Sequence, residues 1–239
     1  SVPPNAEKQN FAEAGQRFLV KIQDKDLRVL KILEESFDVQ VSTASGDRES
    51  IRMSVFDKEG EYYIGSLKTT LGTATPGDGE LQLKGGDAIT VAYVDKNTVE
   101  GPEAVRRIAR SRVVSTAAAG FMDGAYHEYV EGVFADQTSF VRVRDLDRDG
   151  TDQPDRVQVT LFAEYRREQD EDAAAIAAID EQAPRYDERD RIDLTLTETG
   201  PHTGEFTGTT VIGELQEDAK ADPADNRLEA VEGDRISLK

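Results

Sequence analysis

The stretch with the clearest potential for chemistry is an acidic segment, "DLDRDGTDQPD", at residues 145–155. Carboxylates alternate along its first half, and the glycine that follows them permits a sharp bend. Calcium binds about six to eight hard oxygen atoms, and a short acidic loop can bring several of them to one point. We therefore expect a calcium site here, with the candidate ligands Asp145, Asp147, Asp149, Thr151 (through its carbonyl oxygen), Asp152 and Asp155.

The spacing of this segment departs from the EF-hand pattern. Arg156 stands where an EF-hand loop would carry its distal glutamate. The segment instead resembles the D-x-D-x-D-G-x-P-D loops of secreted calcium proteins, with two residues inserted. A solvated acidic turn without a metal is the alternative. The matching region earlier in the chain has only Asp24 and Asp26, so we expect no site there.

Other kinds of catalytic or metal chemistry have little support in the sequence. The two histidines, His127 and His202, have no zinc-like spacing, and the chain has no cysteine for thiolate or disulfide chemistry. No Gly-x-Ser-x-Gly elbow occurs, and "GTATPGDG" (72–79) lacks the Lys-Ser/Thr of a phosphate loop. We therefore predict that the protein is not an enzyme.

The overall charge limits the classes of partner. The formal net charge is −19, which disfavours nucleic acid and anionic lipid surfaces because their phosphates need concentrated lysine and arginine. No apolar run reaches the roughly 18–20 residues needed to span a bilayer. The chain begins at Ser1 without a methionine or a signal peptide, so we expect a processed form or a fragment.

A diverged internal repeat organises the chain. Four segments of the first half have counterparts in the same order in the second half. The matched pairs are "RFLVKIQDKD" (17–26) with "SFVRVRDLDRD" (139–149), "FDVQVSTASGD" (37–47) with "DRVQVTLFAE" (155–164), "ESIRMSVFDKEGEYYIGSL" (49–67) with "DRIDLTLTETGPHTGEFTGTT" (190–210), and "GELQLKGGDAITVAY" (79–93) with "NRLEAVEGDRISLK" (226–239).

The repeated segments alternate apolar and polar residues, which is typical of half-buried antiparallel strands. Clusters of glycine, aspartate, asparagine and proline separate them. We therefore predict an all-β protein of two tandem immunoglobulin-like β-sandwich modules, at residues 1–116 and 117–239. The residues expected to face the two cores include Leu194, Leu196 and Phe206 and, in the first copy, Met53, Val55 and either Tyr63 or Ile64.

The second copy differs from the first in two ways. It carries an insertion at about residues 165–190, whose alanine-rich centre "EDAAAIAAIDEQ" predicts a short helix that ends before Pro184. It also lacks a counterpart of the basic closing strand "EAVRRIARSRVVST" (103–116). We expect either that the chain is trimmed at that point or that a neighbouring chain supplies the strand by β-augmentation.

Two short segments carry a resemblance to a known family. "IDLTLTETGPHTGEFTG" (192–208) and "GDAITVAYVD" (86–95) resemble a hairpin and a final strand of the tandem repeats in large secreted bacterial surface proteins. The resemblance implies an extracellular surface-layer, stalk or adhesin component, partnered by neighbouring modules or other copies, without catalytic residues. The first copy departs from the pattern at its hairpin, where "FDKEGEYYIG" replaces it.

A binding module for a glycan or a protein, attached to a larger secreted enzyme, is the alternative function. Exposed aromatic side chains would be its means of recognition. The candidates are Tyr62, Tyr63, Tyr126 and Tyr129, of which strand alternation assigns about half to a core.

Overall fold

The computed structural model describes residues 10–96, 101, 103–167, 185–216, 219–222, 225 and 227–239. These residues form an all-β protein in two compact units. The first unit contains the described residues of Ser1–Ala117, Asp145–Asp155 and Gly200–Gly204. The second contains those of Ala118–Arg144, Arg156–Thr199 and Glu205–Lys239. No helix of the described segments has the length and apolar character that crossing a bilayer requires.

The first unit is built on eight strands and one short helix. In chain order these are β1 (Asn10–Ala12), β2 (Arg17–Gln23), α1 (Arg28–Ile32), β3 (Phe37–Thr43), β4 (Arg48–Val55), β5 (Tyr62–Leu71), β6 (Glu80–Leu83), β7 (Ala88–Asp95) and β8 (Val105–Val113). Their pairing order is β1-β8-β7-β3-β4-β5-β2, and β6 pairs with β5 in parallel.

Strand β4 joins two parts of the strand order of the first unit. It pairs with β3 from Arg48 to Met53 and reaches β5 only at its last two residues, Ser54 and Val55. The buried core takes side chains from both sides of this corner, because residues of β3 and β7 pack with residues of β5 and β6. The largest of them are Tyr63, Ile51, Met53, Leu81, Leu83 and Ile89.

The second unit contains the remaining seven strands. These are β9 (Ala118–Met122), β10 (Thr138–Arg144), β11 (Arg156–Arg166), β12 (Tyr186–Glu198), β13 (Glu205–Glu214), β14 (Leu228–Ala230) and β15 (Arg235–Leu238). Their order is β15-β11-β12-β13-β10-β9, and β14 pairs with β13 in parallel. The path β7-β3-β4-β5-β2 of the first unit therefore recurs as β15-β11-β12-β13-β10, which is the arrangement that an internal repeat requires.

Strand register aligns the two units residue by residue. Tyr63 and Phe206 take equivalent positions, and both are fully buried; the sequence predicts Phe206 and leaves Tyr63 and Ile64 as alternatives. The same alignment makes Val55 equivalent to Glu198. The prediction that Val55 is a core residue is wrong: it follows Ile51 and Met53 in the alternation of β4 but is the last residue of the strand, and it is 44% exposed.

The predicted helical insertion lies mostly outside the described residues. Its central part, "EDAAAIAAIDEQ", is among the residues for which no structure is given. Both described flanks are strands rather than helix, since β11 continues to Arg166 and β12 starts at Tyr186. These flanks form a long hairpin ladder with a register shift between Ala163 and Glu164.

A glycine in the middle of β5 lets two buried strands approach closely. A Cβ atom at Gly65 would lie 2.7 Å from the carbonyl oxygen of Arg52 and would also overlap the side chain of Ile51. Gly208 takes the same place in β13, where a Cβ atom would lie 2.6 Å from Leu196 Cδ2. The repeat therefore keeps glycine where the packing leaves no room for a methyl group.

We predict that Gly65→Ala destabilises the first unit by about 2 kcal/mol, because a backbone oxygen cannot move aside as a side chain can. Urea unfolding followed by tyrosine fluorescence measures this change. Gly72→Ala is the matched control, since the nearest atom to its Cβ would be the flexible Gln82 side chain at 3.5 Å. Equal midpoints for the two variants would contradict the packing argument.

Candidate cation site

The acidic segment 145–155 begins as a capped 3₁₀ turn. Asp145 accepts a hydrogen bond from the backbone N–H of Asp147 at 3.0 Å and one from the Ser115 hydroxyl at 3.2 Å. In the first unit, Asp24 caps the turn Lys25–Leu27 in the same way, with a bond of 2.9 Å from Asp26 N–H. The D-x-D pattern of both copies therefore has a structural use that needs no metal.

Asp155 closes the other end of the segment. Its Oδ2 accepts the backbone N–H groups of Gly150 at 2.8 Å and Thr151 at 2.9 Å. The Thr151 hydroxyl lies 3.2 Å from Asp155 Oδ1 and donates to the carbonyl oxygen of Gln153 at 2.8 Å. These bonds fold the segment into a compact loop and fix the direction of the Asp155 carboxylate.

Asp152 turns towards other residues of the first unit. Its Oδ1 accepts the Thr73 hydroxyl at 2.6 Å and lies 3.0 Å from Lys84 Nζ. His202 Nε2 approaches the same oxygen at 3.3 Å. The Thr73 hydrogen bond, followed by the Lys84 interaction, lowers the pKa of Asp152 from its usual value of 3.8. Asp152 therefore belongs to a surface network and is not part of the buried acidic group described next.

Two carboxylates come together within the loop. One carboxylate oxygen of Asp149 lies within 4.8 Å of a carboxylate oxygen of Asp155. Asp149 is fully buried, and Asp155 is half-buried. His202 Nδ1 lies 3.2 Å from both oxygens of Asp149. In the same loop, Asp147 has a buried Oδ1 that finds no hydrogen-bond partner among the described residues.

Glu198 is a buried acidic residue of the second unit that our sequence argument missed. It ends β12, and it is only 4% exposed. Leu194, Leu196 and Glu198 follow one another at every second position, which assigns all three to the same face of the strand. An acidic residue at an inward position was the available signal, because a carboxylate is rarely buried without partners.

The six predicted ligands therefore do not all contribute to one site in the structure. The structure brings Asp149 and Asp155 together. Asp145 caps the turn, Asp152 binds Lys84 and Thr73, and Thr151 contributes a hydrogen bond within the loop. The ligand atoms that these side chains offer are all oxygens. Oxygen ligands suit calcium or magnesium better than zinc or copper.

The remaining sequence candidates lie apart from this group. His127 is exposed, and its backbone N–H donates to Asp123 at 2.7 Å, which lowers the pKa of that carboxyl. Tyr63 is buried, and Tyr126 donates to the Gly208 carbonyl at 3.2 Å. Tyr129 is 52% exposed. Recognition of a glycan or a protein by these tyrosines stays a prediction.

Comparison with known proteins does not identify a family. No protein-family model and no curated protein sequence matches the chain. A solved structure of a DUF4785 family protein from Legionella pneumophila subsp. pneumophila is similar at 10% identity, over 84% of this chain and 44% of that protein, with a TM-score of 0.29. The chain therefore spans less than half of that protein, and so low a score supports no argument about fold or function.

We predict that Asp152 titrates below pH 3.8 in the folded protein, because its charged form is stabilised by Thr73 and Lys84. Its contribution to stability is present above the unfolded-state pKa and is lost as the pH falls through the lower, folded-state pKa. An NMR titration of the side-chain carboxyl carbon measures the midpoint. Thr73→Ala should move that midpoint upward, and an unchanged midpoint would show that this hydrogen bond has no role.

Proposed function

We propose that the chain is a non-enzymatic pair of immunoglobulin-like β-sandwich modules from an extracellular bacterial surface protein. The observation that carries this proposal is the shared strand order of the two units, with a fully buried aromatic residue, Tyr63 or Phe206, at the same position of each. Tandem copies of one β module are the form that the sequence resemblance implies for stalk, surface-layer or adhesin components.

The corner in each unit supports a sandwich rather than a single open sheet. Strand β4 leaves β3 and reaches β5 at two positions, and β12 meets β13 only at Thr197 and Glu198. In the first unit a single core receives side chains from both sides of this corner. Two layers of antiparallel strands closed over aliphatic side chains are the basic form of an immunoglobulin-like module.

The use of the acidic side chains supports a structural role. Asp145 and Asp155 accept hydrogen bonds from backbone N–H groups of their own loop. Asp152 forms an ion pair with Lys84 and accepts a hydrogen bond from Thr73. These carboxylates order loops at the ends of strands. A module whose polar side chains fix its own turns suits a rigid spacer.

We further propose that the acidic group binds calcium. Carboxylate oxygens of Asp149 and Asp155 within 4.8 Å of each other repel one another, and the burial of Asp149 strengthens the repulsion. A divalent cation would neutralise them, and the unpartnered Oδ1 of Asp147 in the same loop is a further hard oxygen. The cation would stiffen the loop 145–155.

Calcium should raise the melting temperature of the metal-free protein, since a ligand that binds only the folded state stabilises it by about 2.7 kcal/mol at one hundred times its Kd. Isothermal and scanning calorimetry measure the binding and the shift. Asp149→Asn and Asp155→Asn should abolish both effects, while Asp193→Asn, which removes an exposed carboxylate of β12, should retain them. An absence of binding heat at millimolar calcium would contradict the calcium proposal and favour the alternative of a solvated acidic turn.

Antibodies raised against this chain should label intact cells of the source bacterium, because a surface component is accessible without permeabilisation. Immunofluorescence on intact and permeabilised cells makes the comparison, with an antibody against a ribosomal protein as the control for leakage. Labelling that requires permeabilisation would contradict the proposed location.

A further inference from the structure

A groove of about 1020 Å³ opens on the first unit. The whole of β2 lines one side of it, and β1 with the middle of β8 lines the other. Val91 and Tyr93 of β7 contribute to the lining. The groove therefore lies where the two ends of the pairing order, β2 and β1-β8, fail to meet.

Strand edges without partners border this groove. β2 pairs with β5 along its full length, and no described strand pairs with its opposite edge. β8 pairs with β7 on one side, whereas on its other side the described residues of β1 pair with Ser111, Arg112 and Val113 alone. Such edges present rows of backbone N–H and C=O groups, which can accept a further strand.

A hydrogen bond links two lining residues of the groove. The Tyr93 hydroxyl of β7 donates to Asp24 Oδ2, just beyond β2, at 2.8 Å. Burial and this hydrogen bond raise the pKa of Tyr93, so the phenol remains a donor across the physiological range. The end of β2 is therefore attached to β7 within the groove.

The lining offers apolar surface that the fold itself does not cover. Val20 is buried in the core, and Phe18 and Ile22 pack against it. Leu19 is 73% exposed, Phe11 is 59% exposed and Ile108 is 45% exposed. Exposed large apolar side chains beside open strand edges are features of a binding surface.

The charge of the groove is opposite to that of the chain. The lining contains five basic side chains, Arg17, Lys21, Lys25, Arg107 and Arg110, and three acidic ones, Glu13, Asp24 and Asp95. Of the acidic ones, Asp24 binds Tyr93 and Asp95 is paired with Arg107. Arg110 forms no ion pair with a described residue, and the net charge of the whole protein is −19. A basic groove on so acidic a protein is complementary to an acidic partner.

We propose that this groove binds an extended acidic polypeptide segment, which adds to the free edge of β2 as a further strand. The backbone of the segment pairs with β2, its apolar side chains cover Phe11 and Ile108, and its carboxylates lie near Lys21 and Arg110. A polyanionic glycan would meet the same cations but could not use the strand edge, so the open edge favours a peptide. This inference depends neither on the calcium site nor on the cellular location proposed above.

Two synthetic peptides test the proposal, Ac-EVTVEVTVE-NH2 and the same sequence with alternate amides N-methylated. The first should bind the full chain, by isothermal calorimetry, and should slow amide hydrogen exchange in Arg17–Gln23. The N-methylated peptide keeps the charges but loses donors for strand pairing, so it should not bind. Equal binding of both peptides, or no binding at millimolar concentration, would overturn the proposal.

Charge reversal in the groove distinguishes the specific site from general attraction. Lys21→Glu combined with Arg110→Glu should weaken binding of the acidic peptide by about tenfold or more, because it replaces two attractions with two repulsions. Arg144→Glu, at an exposed position of β10 in the second unit, is the control and should leave the affinity unchanged. Binding of heparin without binding of the peptide would assign the groove to polyanionic glycans and refute strand addition.

Discussion

The packing of each unit depends on a buried aspartate that accepts a hydrogen bond from a backbone N–H group of a neighbouring strand. Asp47 is fully buried and accepts the N–H of Gln82 in β6 at 2.8 Å. Asp190, 3% exposed, accepts the N–H of Glu229 in β14, also at 2.8 Å. A buried carboxylate is costly unless it is hydrogen-bonded, so each of these residues restricts where the short parallel strand can lie. That strand then supplies a fully buried leucine, Leu81 or Leu228, to the core.

A second aspartate in each unit fixes the turn before the next strand. Asp87 accepts the N–H of Lys84 at 3.0 Å, and Asp234 accepts that of Val231 at 2.9 Å. Their side-chain partners differ, since Asp87 also binds Ser45, whereas Asp234 binds Arg189. Both copies keep the hydrogen bond from the backbone N–H group to the aspartate. This shared bond explains why the Gly-Asp pair occurs in both copies, at residues 86–87 and 233–234, although most neighbouring residues differ.

The two units differ most where the first has Val55 and the second has Glu198. An exposed valine at the end of β4 costs little, whereas a buried glutamate at the end of β12 requires polar partners, which Glu198 has. The proposed calcium site lies in the loop 145–155 of the first unit, and the open groove of β2 and β8 is a separate feature of the same unit.

The sequence by itself determined the strands, most of the core and the internal repeat, because alternation with a period of two is a local property. It identified Phe206, and either Tyr63 or Ile64, as core residues and Asp149 and Asp155 as acidic candidates. Only the tertiary structure decided that Asp145 is a cap and that Asp149 and Asp155 come together. It also decided that no described strand pairs with the outer edge of β2. These outcomes depend on the register between strands distant in the chain, which no local pattern contains.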